Sequence, residues 1–255
     1  MREGKMLAAV YQGIGKIKVE EVDKPPLPLG GLLVKVSCCA ICGTDYKLLI
    51  TENPRFKPPL IIGHEFVGRV VEKGAEVTDF QVGDRLTMAT TISCGRCELC
   101  HRGLGNLCES RICVGTDIPG AMAEYLAIPA LALQRGNVLK VPDGLSDEAA
   151  ALSEPLGCAI NAQLIAKVGL GQTVLIVGAG PLGCLHAELA RASGALKVYL
   201  TQRSEPRLSL ARKLAVDAVI DASAHDPVSE VRRLTQGQGA DVVIVTAPNP
   251  KAQEE

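Results

Sequence analysis

The sequence predicts a β-rich unit followed by an α/β unit with a parallel sheet, and three observations carry that reading. Up to about residue 150, Gly and Pro break the chain often and leave short apolar runs such as 32–36 and 67–71, the texture of strands joined by long loops. From Asp147 onward, segments of helical composition alternate with short runs rich in Val, Ile and Leu, the order that packs helices against a parallel sheet. Third, the glycine turn Gly178-Ala179-Gly180-Pro181-Leu182-Gly183 follows one such run and opens a helical one.

The elements of the second half follow in order. Residues 147–152 and 160–168 have helical composition, and 173–177 form a continuous apolar run of the kind buried on both faces of a parallel sheet. Pro181 stands near the start of a helix whose Leu182, Leu185 and Leu189 share a stripe. A strand over 197–201, part of a helix over 208–214, a strand over 218–220 and a helix over 228–234 come next, the last with Pro227 in its first turn and Asp226 or Ser223 as its cap. Residues 241–246 make a fourth strand. The expected division is 1–152 and 153–255. A six-strand dinucleotide fold needs two more strand-helix units, so the second unit is expected to be partial, with four of about six strands.

Composition excludes several function classes. Lys plus Arg number 27 against 28 Asp plus Glu, a net charge of −1 over 255 residues, so no positive field draws phosphate backbones or anionic lipid. Aromatics are 3% with no Trp, which removes the stacking platforms of single-strand binders. The apolar run at 6–10 is too short for a secretion signal, and no stretch reaches the roughly 18 apolar residues of a membrane span. The expectation is a soluble, cytoplasmic protein without nucleic-acid or membrane partners. Its 10 Cys then point to metal ligation rather than disulfides.

Cys94, Cys97, Cys100 and Cys108 are spaced C-x2-C-x2-C-x7-C in a segment containing Gly95, Gly103 and Gly105. Four thiolates so spaced can converge on one zinc, and a site filled by four protein ligands leaves no place for substrate, so its role is structural. An iron-sulfur cluster uses the same ligand type. A second, open set is Cys42, in the loop Cys42-Gly43-Thr44-Asp45, with His64 and Glu65 in the loop Gly63-His64-Glu65. A catalytic zinc takes about three protein ligands of mixed type and keeps one position open. Glu154, in Ser153-Glu154-Pro155, is a further carboxylate that can ligate. Cys38, Cys39, Cys113, Cys158 and Cys184 have no ligand motif, nor do His101, His186 and His225.

In the glycine turn, Gly178 permits the tight turn, Gly180 lets backbone approach a pyrophosphate, and Gly183 permits close helix-strand packing, with Pro181 and Leu182 between them. The phosphates sit at the helix N-terminus. An Asp or Glu about 20 residues on binds the ribose 2′-hydroxyl of NAD. Gln202 stands there instead, followed by Arg203 and Arg207, either of which can pair with a 2′-phosphate. The cofactor is NADP or NAD, with NADP expected.

The segment Gly63-His64-Glu65-Phe66-Val67-Gly68 continuing to Gly74 and Val77, then Gly83-Asp84-Arg85, the four cysteines, Ser153-Glu154-Pro155-Leu156 and the glycine turn together resemble the zinc-dependent medium-chain alcohol dehydrogenase family. The likeness covers essentially the whole chain and is nearest in texture to the sorbitol and threonine dehydrogenase branch. It implies a GroES-like catalytic domain and a Rossmann domain, with one catalytic zinc in the cleft between them and one structural zinc. It further implies transfer of a hydride between an alcohol (a secondary alcohol, polyol or amino alcohol) and NAD(P). By position, Cys42 and His64 become zinc ligands, Glu65 a ligand in the polyol branch, and Glu154 stands where liver-type enzymes place a ligand cysteine. Thr44 matches the hydroxyl that takes the alcohol proton, and Asp45 a residue that orients His64. Where the family commonly has a His that passes the proton onward, this sequence has Lys47, so the relay stops at Thr44 and the cofactor ribose, or Lys47 or water completes it. The family forms homodimers or homotetramers, and its chain returns after the sixth Rossmann strand to complete the catalytic domain, so a truncated chain is the expectation here. The rival is a truncated or catalytically silent homologue that keeps the fold and the structural zinc; the intact Cys42, His64, Glu65 and Glu154 stand against silence.

Overall fold

The computed structural model describes residues 4–247, and the chain divides after Glu154 into two compact units. The first contains β1 (Lys5–Gly13), β2 (Lys16–Asp23), β3 (Leu32–Ala40), α1 (Gly43–Lys47), β4 (Leu60–Ile61), β5 (Glu65–Lys73), β6 (Arg85–Met88), β7 (Thr91–Ile92), α2 (Glu98–His101), β8 (Ile112–Cys113), β9 (Tyr125–Ile128), α3 (Ala130–Gln134), β10 (Val138–Lys140) and α4 (Asp147–Ala151). Its strands form a sheet in the order β2-β1-β4, a five-stranded sheet β10-β6-β5-β3-β9, and the ribbon β7-β8. Leu32, Val34, Phe66, Val70, Leu86 and Leu126 bury their side chains in one core, which fixes which face of each strand points inward.

The ladder between β3 and β5 places the candidate ligands. The strands run antiparallel with Ala40 opposite Glu65 and Cys39 opposite Phe66. Cys42, just past the end of β3, and His64, just before β5, therefore emerge at the same end of the sheet. The register shifts twice along this pair, between Leu33 and Val34 and between Val36 and Cys38. Such bulges re-aim the side chains that follow them.

A buried amide anchors β6, β7 and the turn after α3. The Asn137 side chain donates to the carbonyls of Ala89 (2.7 Å) and Thr91 (2.9 Å), and the Ala89 N–H donates to the Asn137 carbonyl at 2.9 Å. Replacing Asn137 by Ala leaves two carbonyls without donors and should cost about 2 kcal/mol. The check is the urea midpoint of unfolding, which should fall; an unchanged midpoint would show that the amide carries no stability.

The division falls within the first turn of α5 (Ser153–Ala166), and the second unit contains the rest of that helix with β11 (Thr173–Val177), α6 (Pro181–Ala192), β12 (Lys197–Gln202), α7 (Glu205–Ala211), β13 (Ala218–Asp221), α8 (Pro227–Leu234) and β14 (Val242–Val245). The sheet runs β13-β12-β11-β14, and every pairing is parallel. That is the 3-2-1-4 order of a doubly wound dinucleotide fold. Asp226, not Ser223, caps α8, its carboxylate accepting from the Ser229 N–H at 2.8 Å.

Three local expectations are corrected. The helix expected to include 208–214 begins at Glu205, with Ser204 at its cap and Pro206 in its first turn, and ends at Ala211, short of Leu214. On α6 the buried face is Gly183, His186, Ala187 and Ala190, while Leu182 is 37% exposed. Small residues let this helix lie close against the sheet, so the leucine stripe does not set its inward face. Cys42 is the cap of a helical turn rather than part of a loop.

Candidate metal and cofactor sites

One ligand atom each from Cys42, His64 and Glu65 lies within 4.8 Å of the other two. Tetrahedral zinc holds its ligands about 3.3 to 3.8 Å apart, so small side-chain movements would close the set. Asp45 is 3% exposed. Its Oδ2 accepts the Cys42 N–H at 2.9 Å, which starts α1, and its Oδ1 faces His64 Nδ1 at 3.9 Å. Oδ1 is buried and has no hydrogen-bond partner. Burial pushes the Asp45 carboxyl up from its ordinary value.

The electrostatics of the cluster favour a cation. Burial by itself would lower the His64 ring, but Cys42, Asp45 and Glu154 outweigh it and raise it to about 9. Burial, with help from Asp45 and Glu65, likewise pushes the neighbouring Cys39 thiol up to about 12. Glu65 itself is 6% exposed. A sulfur, an imidazole and a buried carboxylate form a donor set that suits zinc, with the Asp45 carboxylate beside the imidazole. Glu154 lies within electrostatic reach of His64 but outside the three-atom set. Thr44 and Lys47 are both exposed, in the first and last turns of α1.

The four-cysteine lobe fits zinc more closely. Cys97 and Cys100 sulfurs are 3.4 Å apart, Cys97 and Cys108 3.8 Å, and Cys94 and Cys100 3.9 Å. A tetrahedron with zinc-sulfur bonds of about 2.3 Å has edges near 3.8 Å. The thiols share protons unequally. The Arg96 N–H and then Cys108 draw Cys94 down to about 6; on Cys97 the lowering by the Cys100 N–H is overcome by its sulfur neighbours, which push it up to about 11. The lobe is not a plain loop: it contains α2 and a 3-10 turn at Gly105–Leu107.

At the glycine turn, Gly178 has φ +106°, and a Cβ on Gly183 would lie 1.9 Å from the Gly178 carbonyl oxygen. Thr246, beyond β14, donates its hydroxyl to the carbonyls of Val177 (3.1 Å) and Gly178 (2.9 Å). Gly180 caps α6, and Pro181 fills its first position. The α6 N-terminus thus has the open amides and close helix approach that a pyrophosphate site needs. After β12, the Gln202 side-chain oxygen accepts the N–H groups of Arg203 (2.7 Å) and Ser204 (3.3 Å). Arg203 and Arg207 are exposed on the same turn.

Two features have no signal in the sequence pattern. Gln163 and His186 are a buried pair, the Gln163 amide donating to the His186 carbonyl at 2.8 Å; His186 is 3% exposed and serves packing rather than the helix surface. The loop 113–120 packs against the His64 turn through glycines. A Cβ on Gly115 would lie 2.6 Å from the Gly63 carbonyl oxygen, and one on Gly120 would lie 2.4 Å from it. Glycine content was visible, but nothing local says which backbone a glycine admits.

Residues 29–143 match the alcohol dehydrogenase GroES-like domain, and residues 181–255 match the zinc-binding dehydrogenase family. L-threonine 3-dehydrogenase of Pyrococcus abyssi is 42% identical over 238 residues, 92% of this chain and 67% of that protein. A zinc-binding dehydrogenase from Sinorhizobium meliloti, solved with NADP bound, superposes with a TM-score of 0.90 at 37% identity, covering 98% of this chain and 72% of its own. The 2R,3R-butanediol dehydrogenase of Bacillus subtilis superposes at 0.85 with 30% identity, covering 96% and 72%. The chain spans about two thirds of the length of the curated relatives it matches.

Proposed function

Since the chain belongs to the zinc-dependent medium-chain alcohol dehydrogenase family, in its threonine and sorbitol branch, and is an NAD(P)-linked alcohol oxidoreductase, we propose that its substrate is a small secondary alcohol with a polar neighbour, of the amino-alcohol class. The convergence of Cys42, His64 and Glu65 within 4.8 Å is the observation that carries the reading. Cys42, His64 and Glu65 would hold the catalytic zinc, with Glu154 a further carboxylate within electrostatic reach of His64; Cys94, Cys97, Cys100 and Cys108 would hold the structural one. Bound zinc supplies Lewis-acid chemistry that lowers the pKa of the alcohol hydroxyl, and the nicotinamide supplies the hydride acceptor.

The chain's own residues do the rest. Asp45 faces Nδ1 of His64, which turns Nε2 toward the ligand set and fixes the ring orientation. Thr44, two residues beyond Cys42 on the same turn, takes the hydroxyl proton, and the exposed Lys47 on that helix, or water, takes it onward. Gly178, Gly180 and Gly183, with Pro181 and Leu182, present the α6 amides to the pyrophosphate. Gln202, Arg203 and Arg207 surround the ribose, and the absence of an acid there favours NADP. Ten free cysteines, five of them in ligand sets, support a reducing, cytoplasmic compartment, and the family resemblance supports a homodimer or homotetramer. No helix among the described residues is long and apolar enough to cross a membrane.

A panel of threonine, polyols and primary alcohols, each with NADP and NAD, tests this reading on the purified protein. Threonine-type alcohols should give the highest kcat/KM. NADP should exceed NAD by about tenfold to a hundredfold, the worth of one charge-assisted pair of about 1.5 to 3 kcal/mol. Activity confined to primary alcohols would sink the substrate proposal, and a strong NAD preference the cofactor one.

A further inference from the structure

The turn Gly63-His64-Glu65 is held from behind by a loop with no part in the chemistry above. Gly115 and Gly120 lie so close that no side chain fits between either of them and the Gly63 carbonyl. The Ala121 N–H donates to that carbonyl at 2.9 Å, the Met122 N–H to Ile62 at 2.9 Å and the Gly120 N–H to Ile61 at 2.7 Å. Any displacement of this loop is therefore passed to the backbone on which His64 and Glu65 stand.

A polar clamp sets the shape of the loop. Asp117 Oδ2 accepts the Cys113 N–H at 2.9 Å and the Arg55 guanidinium at 3.1 Å. The same guanidinium nitrogen reaches the Cys113 sulfur at 3.5 Å. The N–H groups of Thr116, Asp117 and Ile118 turn back onto the Cys113 carbonyl at 3.2, 2.8 and 3.3 Å. Arg55 is itself anchored, because the next residue, Phe56, is buried with Leu48, which follows α1, and with Ile62, which precedes Gly63. The contacts close a ring from Arg55 through Asp117 and the glycines to Gly63, and back along the chain to Arg55.

We propose that Arg55 and Asp117 are positioning residues for the catalytic metal centre, acting through the 113–120 loop on the Gly63-His64-Glu65 turn. The proposal rests on the reading of Cys42, His64 and Glu65 as that centre. Groups that orient metal ligands without touching the metal commonly change metal affinity by about 10- to 100-fold when removed. The effect here is expected at the lower end, since Arg55 and Asp117 are partly exposed and act at one remove.

The experiment follows zinc release from the purified, zinc-loaded protein into a chromogenic chelator, which separates the two sites as two kinetic phases. Cys42→Ala assigns the phase of the open site by abolishing it. Arg55→Ala and the near-isosteric Asp117→Asn should speed that phase about tenfold and leave the four-cysteine phase unchanged, with Arg55→Lys falling between wild type and Arg55→Ala. Unchanged release in both variants would overturn the clamp while leaving the metal site standing. Equal acceleration of both phases would overturn it too, because it would report general loosening of the unit. Failure of Cys42→Ala to abolish either phase would overturn the metal reading and the clamp with it.

Discussion

Cys42→Ala is expected to lower kcat/KM by about a thousandfold or more and to reduce zinc from about two ions per chain to about one. The reduction in rate follows from the Lewis-acid contribution of several kcal/mol, at tenfold per 1.36 kcal/mol. The loss of metal follows from the ligand count: catalytic sites keep about three protein ligands, and the geometry brings together only Cys42, His64 and Glu65 among the described residues. Removing the sulfur leaves an imidazole and a carboxylate, too few to retain the ion against dilution. The fold should be little affected, since Cys42 is half-buried and the bond from its N–H to Asp45 Oδ2 that starts α1 is a backbone donor that Ala keeps. The four-cysteine lobe serves as an internal reference, and metal analysis beside steady-state kinetics reads both effects. Full activity in this variant would remove Cys42 from the mechanism.

The second large effect is expected in the other unit. A Gly183→Ala side chain would stand 1.9 Å from the Gly178 carbonyl and 3.0 Å from the Thr246 hydroxyl, and the turn has no flexible side-chain end there to yield. Overpacking of this kind costs about 3 kcal/mol. Displacing Gly178 also moves the α6 amides away from the pyrophosphate, so cofactor affinity should fall by about a hundredfold, the worth of one to two charge-assisted hydrogen bonds. Gly157→Ala is the control: it lies on α5 with nothing within 4 Å of a new Cβ, and there Ala is favoured over Gly by about 1 kcal/mol. Urea unfolding and titration with reduced cofactor, followed by its fluorescence, should separate the two variants in opposite directions for stability. Wild-type stability and affinity in Gly183→Ala would show that the helix can back away from the strand.

What the sequence made legible depended on whether the signal was local. The glycine turn, the three strand-helix repeats with the fourth strand, and the cysteine spacing all lie within short windows, and each is present in the structure. Cys42 and His64 are 22 residues apart, and only the β3-β5 register brings them to one sheet end. Their partnership could be proposed from ligand chemistry and family resemblance, but not from spacing. The leucine stripe of α6 does not mark its inward face for a different reason: hydrophobic periodicity assumes that large apolar residues mark the core. Here close approach to the sheet selects Gly and Ala instead. The contact of Gly115 and Gly120 on Gly63 was illegible because a glycine in sequence reports freedom, not what fills the space its side chain would take.

The two bulges in the β3-β5 ladder bear on how this active site can be altered. Side chains along a strand alternate, so an extra unpaired residue inverts which of those beyond it face the core; the first shift leaves out Val71 on β5 and the second Ser37 on β3. On β3, Leu32, Val34 and Val36 therefore share the core face, and past Ser37 that face passes to Cys39. Substitutions along β3 therefore change one side chain each, whereas a one-residue insertion or deletion there rotates Cys39, Ala40 and the approach to Cys42 as a block. For anyone redesigning substrate choice, β3 is a strand to edit by replacement and never by length; changes of length belong in loops outside the ring that Arg55 closes.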